Sequence, residues 1–179
     1  FAGPIMYGDE GSSGYFEKDD HPDNVFWHQA LEANKLYKML DGKLRKQALL
    51  PEAPDEAEIA FRGPQGKFTG VPVTDMATDQ KANLQKILRL LLEPFRQSDQ
   101  DEAVAALKKN GGLDQCHLTF YKRDDLGGDG IWDNWRLEGP AFVWHWRGAP
   151  HVHVWVHVAD THKVELNSRN RSGLLRRKS

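Results

Sequence analysis

Residues 151–158 read His-Val-His-Val-Trp-Val-His-Val, so imidazole and indole side chains alternate with valines. In a β-strand, successive side chains point to opposite faces, which places His151 and His153 on one face and the valines on the other. The two imidazoles then lie ~6.5–7 Å apart along the strand and can converge on one ion at zinc–nitrogen distances of ~2.0–2.1 Å. The pattern predicts a histidine metal site on a strand whose valine face is core.

The metal and its third ligand stay open. Imidazole suits zinc, copper and iron, so the ligand type does not choose the ion. If Arg147 pairs with His151 across the hairpin, His145 lies opposite His153 on the same face, whereas a slip by one residue sends His145 to the valine face. The other candidate ligands are His117 and Glu138, the latter as a carboxylate ligand or a catalytic base. An open coordination position would allow hydrolytic or redox chemistry.

The same strand face also fits a function without a metal. Trp144, Trp146 and Trp155 lie near the histidines, and aromatic and imidazole side chains together suit a sugar or another planar ligand. The second hypothesis is therefore a non-catalytic binding module that uses this face for a ligand or a protein partner. A third is that the chain forms one piece of a larger assembly, completed by an upstream segment or a second chain.

Composition excludes several classes of protein. The 179 residues carry 24 Lys+Arg against 26 Asp+Glu, a net charge of −2, which excludes a protein whose whole surface binds nucleic acid. The lone cysteine, Cys116, excludes an internal disulfide and a cysteine-cluster metal site. No apolar run is long enough to predict a membrane span, and no basic start is followed by an apolar run, as in a signal peptide.

The spacing of apolar residues changes along the chain, and with it the secondary structure predicted to position these residues. Apolar residues recur at helical spacing in the first part, and after Gly112 the period becomes two. The predicted helices cover about 24–40, 43–50, 79–93 and 98–109. The predicted strands cover about 115–122, 134–147 and 151–158. Helices followed by an antiparallel sheet predict the α+β class.

The length predicts one domain. We expect residues 1–160 to form a single α+β domain and residues 161–179, which hold six Lys+Arg against one acid, to form a basic flexible tail. Because the sequence begins at Phe1, in a segment that resembles the interior of a strand or loop, we expect it to be the C-terminal part of a longer chain.

Two segments carry a family resemblance. The segment 135–142, Trp-Arg-Leu-Glu-Gly-Pro-Ala-Phe, followed by His151-Val152-His153, resembles the C-terminal signature of the bacterial domain-of-unknown-function family numbered thirty-five hundred. The similarity extends upstream to residues 40–48 and to Asp79-Gln80.

The resemblance implies a secreted or periplasmic bacterial protein with further strands upstream. It implies no reaction, because the family has no established activity. The chain departs from the family after this strand segment: relatives continue with a Trp-Arg-Asp type of motif, whereas this chain has Trp155-Val156-His157. The role of that motif in the relatives therefore does not carry over to this chain.

Overall fold

The computed structural model describes residues 4–7, 27–123, 125, 128–148 and 152–166. The helices in these ranges are α1 (Trp27–Met39), α2 (Gly42–Ala48), α3 (Thr78–Leu92) and α4 (Gln97–Lys109). Side chains fix two of the helix starts. The Asp41 carboxylate accepts hydrogen bonds from the backbone N–H groups of Lys43 and Leu44, and the Gln80 side chain accepts one from that of Ala77. None of the described helices has the length and apolar character that crossing a membrane requires.

One sheet gathers all the described strands. They are β1 (Pro4–Tyr7), β2 (Leu49–Leu50), β3 (Val71–Pro72), β4 (His117–Tyr121), β5 (Asn134–Gly139), β6 (Phe142–Arg147) and β7 (Val152–Val158). Their order is β1-β7-β6-β5-β4-β2, and β3 also pairs with β4. The β2–β4 pair is parallel and the other pairs are antiparallel. The α+β class is therefore confirmed, with a mixed sheet.

The main hydrophobic core lies between the helices and one face of this sheet. The sheet contributes large side chains such as Trp135, Trp144 and Trp146, and α3 contributes a leucine stripe. All four valines of β7 belong to this core: Val152, Val154, Val156 and Val158. The predicted valine face is confirmed.

Two predictions of detail are wrong. The helix predicted over 43–50 ends at Ala48, because Leu49 and Leu50 pair in parallel with Phe120 and Tyr121. The sheet is also neither purely antiparallel nor purely C-terminal, since β1, β2 and β3 join it from the first part of the chain. Local periodicity does not reveal such partners, because each of these short pairings is set by a strand far away in the sequence.

Some boundaries fall at or beyond the described ranges. The start of the first predicted helix, at 24–26, lies outside them, and so do residues 167–179 of the predicted tail. At the end of the last described range, Leu166 packs against the cluster of Ile59, Val143 and Trp155. Packed chain thus continues past the expected domain boundary at residue 160.

Candidate functional site

The face of the sheet opposite the helices, which we call the polar face, carries the candidate residues. The register places its side chains in three rows that cross β5, β6 and neighbouring strands. The first row holds Asn134, Arg147 and His153; the second holds Thr119, Arg136, His145 and Trp155; the third holds His117, Glu138, Val143 and His157. Arg136 and His145 are each only 1% exposed, so this face is an interior and not a solvated surface.

An irregular segment, residues 53–63, covers the polar face, and we call it the roof. Ile59 packs on Val143 and Trp155 of the sheet. The backbone N–H of Gly63 donates a hydrogen bond of 2.9 Å to the carbonyl of Pro140. The roof therefore closes a second layer over the sheet and brings its own polar side chains into contact with it.

Glu56, in a short 3₁₀ turn of the roof, is the acid at the centre of the first two rows. Its Oε1 lies 2.6 Å from Nε of Arg147 and 3.5 Å from Nε2 of His145. Its Oε2 lies 3.4 Å from Nδ1 of His153. The guanidinium of Arg147 also contacts the His153 imidazole. One carboxylate thus joins two histidines and an arginine from two neighbouring strands.

Arg136 extends this network through the second and third rows. Its Nε donates to Nδ1 of His145 at 3.3 Å, and its Nη1 donates to Oε1 of Glu138 at 3.4 Å. Arg62 of the roof approaches the same Glu138 oxygen at 3.7 Å. Because Nδ1 of His145 accepts this hydrogen bond, the neutral imidazole carries its proton on Nε2, which faces Glu56.

The titration of the two central groups follows from these contacts. Burial alone would raise the pKa of Glu56, but the contacts with His145 and His153 and the charge of Arg147 outweigh it and lower that pKa to about 2. Burial lowers the pKa of His145 from 6.5 to about 4, because Glu56 only partly offsets it and Arg136 adds to it. At neutral pH the pair is an ionised carboxylate and a neutral imidazole.

The structure brings together some of the predicted metal ligands. His151 lies outside the described residues. His145 and His153 share the polar face, but His145 lies opposite Trp155 and Arg147 opposite His153, a register shifted by two residues from the one in which Arg147 pairs with His151. The described residues contain no group of three His, Cys, Asp or Glu side chains arranged to hold a metal ion.

His117 and Glu138 lie away from the Glu56 contacts. They face each other across β4 and β5 in the third row. His117 stacks on Phe68 with ring centroids 5.3 Å apart. With β5 and β6 between their strands, His117 and His153 are separated by roughly 14 Å at ~4.8 Å per strand. That is too far for the two to share an ion.

A cavity of about 280 Å³ opens where the roof meets the first row. Asp55 and Glu56 line it from the roof, and Asn134, His145 and Arg147 line it from the sheet. The remaining lining residues are Ala53, Pro54 and Arg123. The cavity therefore presents charged groups of both signs beside the His145–Glu56 contact.

The sequence did not predict the central member of this site. Glu56 lies in a proline-rich stretch without periodicity, so nothing local indicates that it turns inward. Arg136 and Arg147 were recoverable in principle, because they alternate with Trp135 and Trp146 on strands whose tryptophan face is core. The signal for a buried polar face was that alternation in neighbouring strands.

No family model matches the chain, and neither a curated protein nor a solved structure is similar enough to count as a match. The resemblance to the thirty-five-hundred family, and the secreted or periplasmic location that it implies, therefore remain predictions.

Proposed function

We propose that this chain is a binding domain for a small polar molecule, which the cavity between the roof and the first row receives. The observation that carries the proposal is the combination of an open volume of about 280 Å³ with a wall of charged and amide side chains. That volume lies just below the ~300–1,000 Å³ typical of ligand sites. It suits a ligand of the size of a monosaccharide or an amino acid.

The wall carries charges of both signs, and one of its arginines, Arg123, also pairs at 3.3 Å with Glu52, which does not line the cavity. Asp55 and Glu56 oppose Arg123 and Arg147, and Glu56 stays ionised at neutral pH because its pKa is lowered to about 2. A ligand with a large net charge would be attracted by one of these pairs and repelled by the other, so it gains little net attraction from the wall. A neutral molecule with hydroxyl groups, or a zwitterion, would find both acceptors and donors.

Asn134 supports a polar ligand independently of charge. It is 1% exposed, and among the described residues its Oδ1 has no hydrogen-bond donor. An unsatisfied buried acceptor costs about 1–3 kcal/mol. A hydroxyl or ammonium group of a ligand would remove that cost, which favours polar occupants over apolar ones.

Isothermal titration calorimetry with a panel of monosaccharides and amino acids tests the proposal. Arg123, whose side chain is 59% exposed, lines the cavity, so Arg123→Ala should weaken binding of a panel member about tenfold while leaving the fold intact. Lys122→Ala is the matched control, because Lys122 is exposed and does not line the cavity. Binding that is equal in the two variants, or absent across the panel, would overturn the proposal.

A second candidate function is the predicted metal site. The observation that favours it is the approach of Glu56 oxygens to His145 and His153 at 3.5 and 3.4 Å. Two ligands that each lie ~2.0–2.1 Å from one tetrahedral ion are separated by about this distance. Zinc, copper or iron, with hydrolytic or redox chemistry, stays the prediction for this site.

Two contacts place the metal site second. The Arg147 guanidinium occupies the space beside Glu56 that a cation would need. A metal-bound imidazole also donates its other N–H to an acceptor, whereas Nδ1 of His145 faces the Nε–H donor of Arg136.

Elemental analysis of the protein purified without chelators tests the metal site, with the double variant His151→Ala, His153→Ala as control. About one zinc, copper or iron per chain, lost in the double variant, would support it. Wild-type protein that contains no stoichiometric metal, even after dialysis against each ion, would contradict it.

A further inference from the structure

A second and larger cavity, of about 540 Å³, lies on the other side of the molecule between α3 and α4. Its walls are apolar. They include Leu88 and Leu92 of α3, Val104 and Leu107 of α4, and, from the sheet, Phe142 and Val156. The cavity is thus an open groove at the edge of the main core and is separate from the polar face.

Apolar side chains that line an open recess of this size are typical of a surface that binds a ligand. Most of the lining is apolar, so water in the groove finds few hydrogen-bond partners among its leucine, valine and phenylalanine side chains. Val104 lines the cavity and is 40% exposed, so apolar surface continues outward to the solvent. These features fit an aliphatic occupant.

The rim of the cavity selects the charge of that occupant. Three basic residues, Lys81, Arg89 and Lys108, stand among the lining residues, against one acid, Asp114. Lys81 pairs with Asp114 at 2.8 Å, and no described acid forms an ion pair with Arg89 or Lys108, so both keep their positive charge at this rim. Both are exposed, so their side chains can reach an anionic head group at the opening.

We propose that the cavity between α3 and α4 binds a single-chain aliphatic carboxylate, a free fatty acid, with the chain among the leucines and the carboxylate beside Arg89 and Lys108. The apolar walls supply affinity in proportion to the buried chain. The basic rim supplies the preference for an anion. This site is independent of the polar cavity and stands whether or not that cavity binds a ligand.

Calorimetric titration of the full chain with octanoate, decanoate and dodecanoate tests the burial of the aliphatic chain. Because each methylene contributes ~0.8 kcal/mol, affinity should rise about fourfold per methylene. Decyltrimethylammonium has a similar tail and the opposite charge, and it should bind more weakly than decanoate, with the difference shrinking at high salt. Affinity that does not change with chain length, or a preference for the cationic amphiphile, would overturn the proposal.

Variants locate the site. Val104→Trp places an indole in the cavity mouth and should abolish binding of dodecanoate, whereas Ala105→Trp, on the neighbouring exposed position outside the lining, should leave it unchanged. The double variant Arg89→Glu, Lys108→Glu should weaken dodecanoate binding roughly tenfold at low salt. The double variant Lys43→Glu, Lys46→Glu, at two exposed positions of α2, changes the net charge equally and is its matched control. Equal binding by Val104→Trp and Ala105→Trp would show that the fatty acid binds elsewhere and would contradict the assignment.

Discussion

The Nε–H of Arg136 donates to Nδ1 of His145 at 3.3 Å, and both side chains are 1% exposed. A permanent cation therefore fixes the tautomer of a buried histidine and turns its Nε2–H toward Glu56 of the roof. Protonation of His145 would put a hydrogen on Nδ1, where it would face the N–H donor of Arg136. The network is built for a neutral imidazole.

Stability should accordingly fall as the pH falls. The pKa of His145 is lowered from 6.5 to about 4 in the folded protein, so the unfolded chain binds this proton first. The stabilising effect is fully present above pH 6.5 and is lost as the pH falls toward 4. It amounts to roughly 3 kcal/mol. Burial lowers the pKa of His157 to about 4 as well, which adds to the loss. Urea denaturation measured from pH 7 to pH 4 gives the free energy of unfolding directly.

The variant His145→Gln isolates this contribution, because it replaces the titrating imidazole with a polar amide that does not titrate. The slope of unfolding free energy against pH should become shallower between pH 6.5 and 4. His28→Gln, at an exposed position of α1, should leave the slope unchanged. A wild-type slope in His145→Gln would contradict the buried neutral imidazole.

Removing the charge of Glu56 should destabilise the roof. Glu56→Gln leaves Arg147 without its partner carboxylate, 2.6 Å away. Because the side chain of Glu56 is 28% exposed, solvent screens part of the effect, and we expect a loss of about 1–3 kcal/mol. Glu58→Gln lies in the same 3₁₀ turn but is exposed, so it should be nearly neutral. Equal midpoints of the two variants in urea would show that Glu56 holds nothing in place.

The helices and the core face of the sheet could be predicted because each follows from a local pattern. The α3 helix was expected over 79–93 and runs over Thr78–Leu92, since its leucine stripe repeats at helical spacing. The valines of β7 were expected in the core for the same reason, with period two. Such patterns depend on neighbours in sequence, and a single sequence displays them.

Val154→Asp should therefore be severely destabilising. Val154 is completely buried in the main core, and a carboxylate there has no partner, so we expect a loss of at least ~4 kcal/mol or failure to fold. Val164→Asp is the control, because Val164 is 46% exposed and should tolerate the charge. Circular dichroism during thermal unfolding compares the two. A melting temperature of Val154→Asp close to that of wild type would refute the assigned core face.

Gly70 holds the end of the loop that runs from the roof to β3. Its φ is +83°, and an added Cβ would overlap the carbonyl of Leu118 and the hydroxyl of Thr119 on β4. Gly70→Ala should cost several kcal/mol, since backbone must move away. Gly42→Ala, at a helical position with open space, should be neutral or slightly stabilising. Similar unfolding midpoints for the two variants would contradict the close approach of this loop to β4.

The site itself depends on relationships that the sequence does not display. The sequence alone did not determine on which face of the sheet His145 lies, because that depends on the register of the hairpin. In the structure, His145 pairs with Trp155. Sequence patterns gave no position for Glu56, because a proline-rich segment has no period and its path is set by packing on Val143 and Trp155. The burial of the histidine face follows from that path, because the roof covers this face and leaves a cavity at one edge.

Chemical-shift mapping on ¹⁵N-labelled protein tests the central claim most directly, with the tightest binder of the sugar and amino-acid panel as ligand. We expect the largest amide shifts on Ala53, Asp55 and Glu56 of the roof and on Asn134 and Arg147, with none between α3 and α4. Shifts confined to other surfaces, or no saturable shift with any panel member, would contradict a polar ligand site at the edge of the roof.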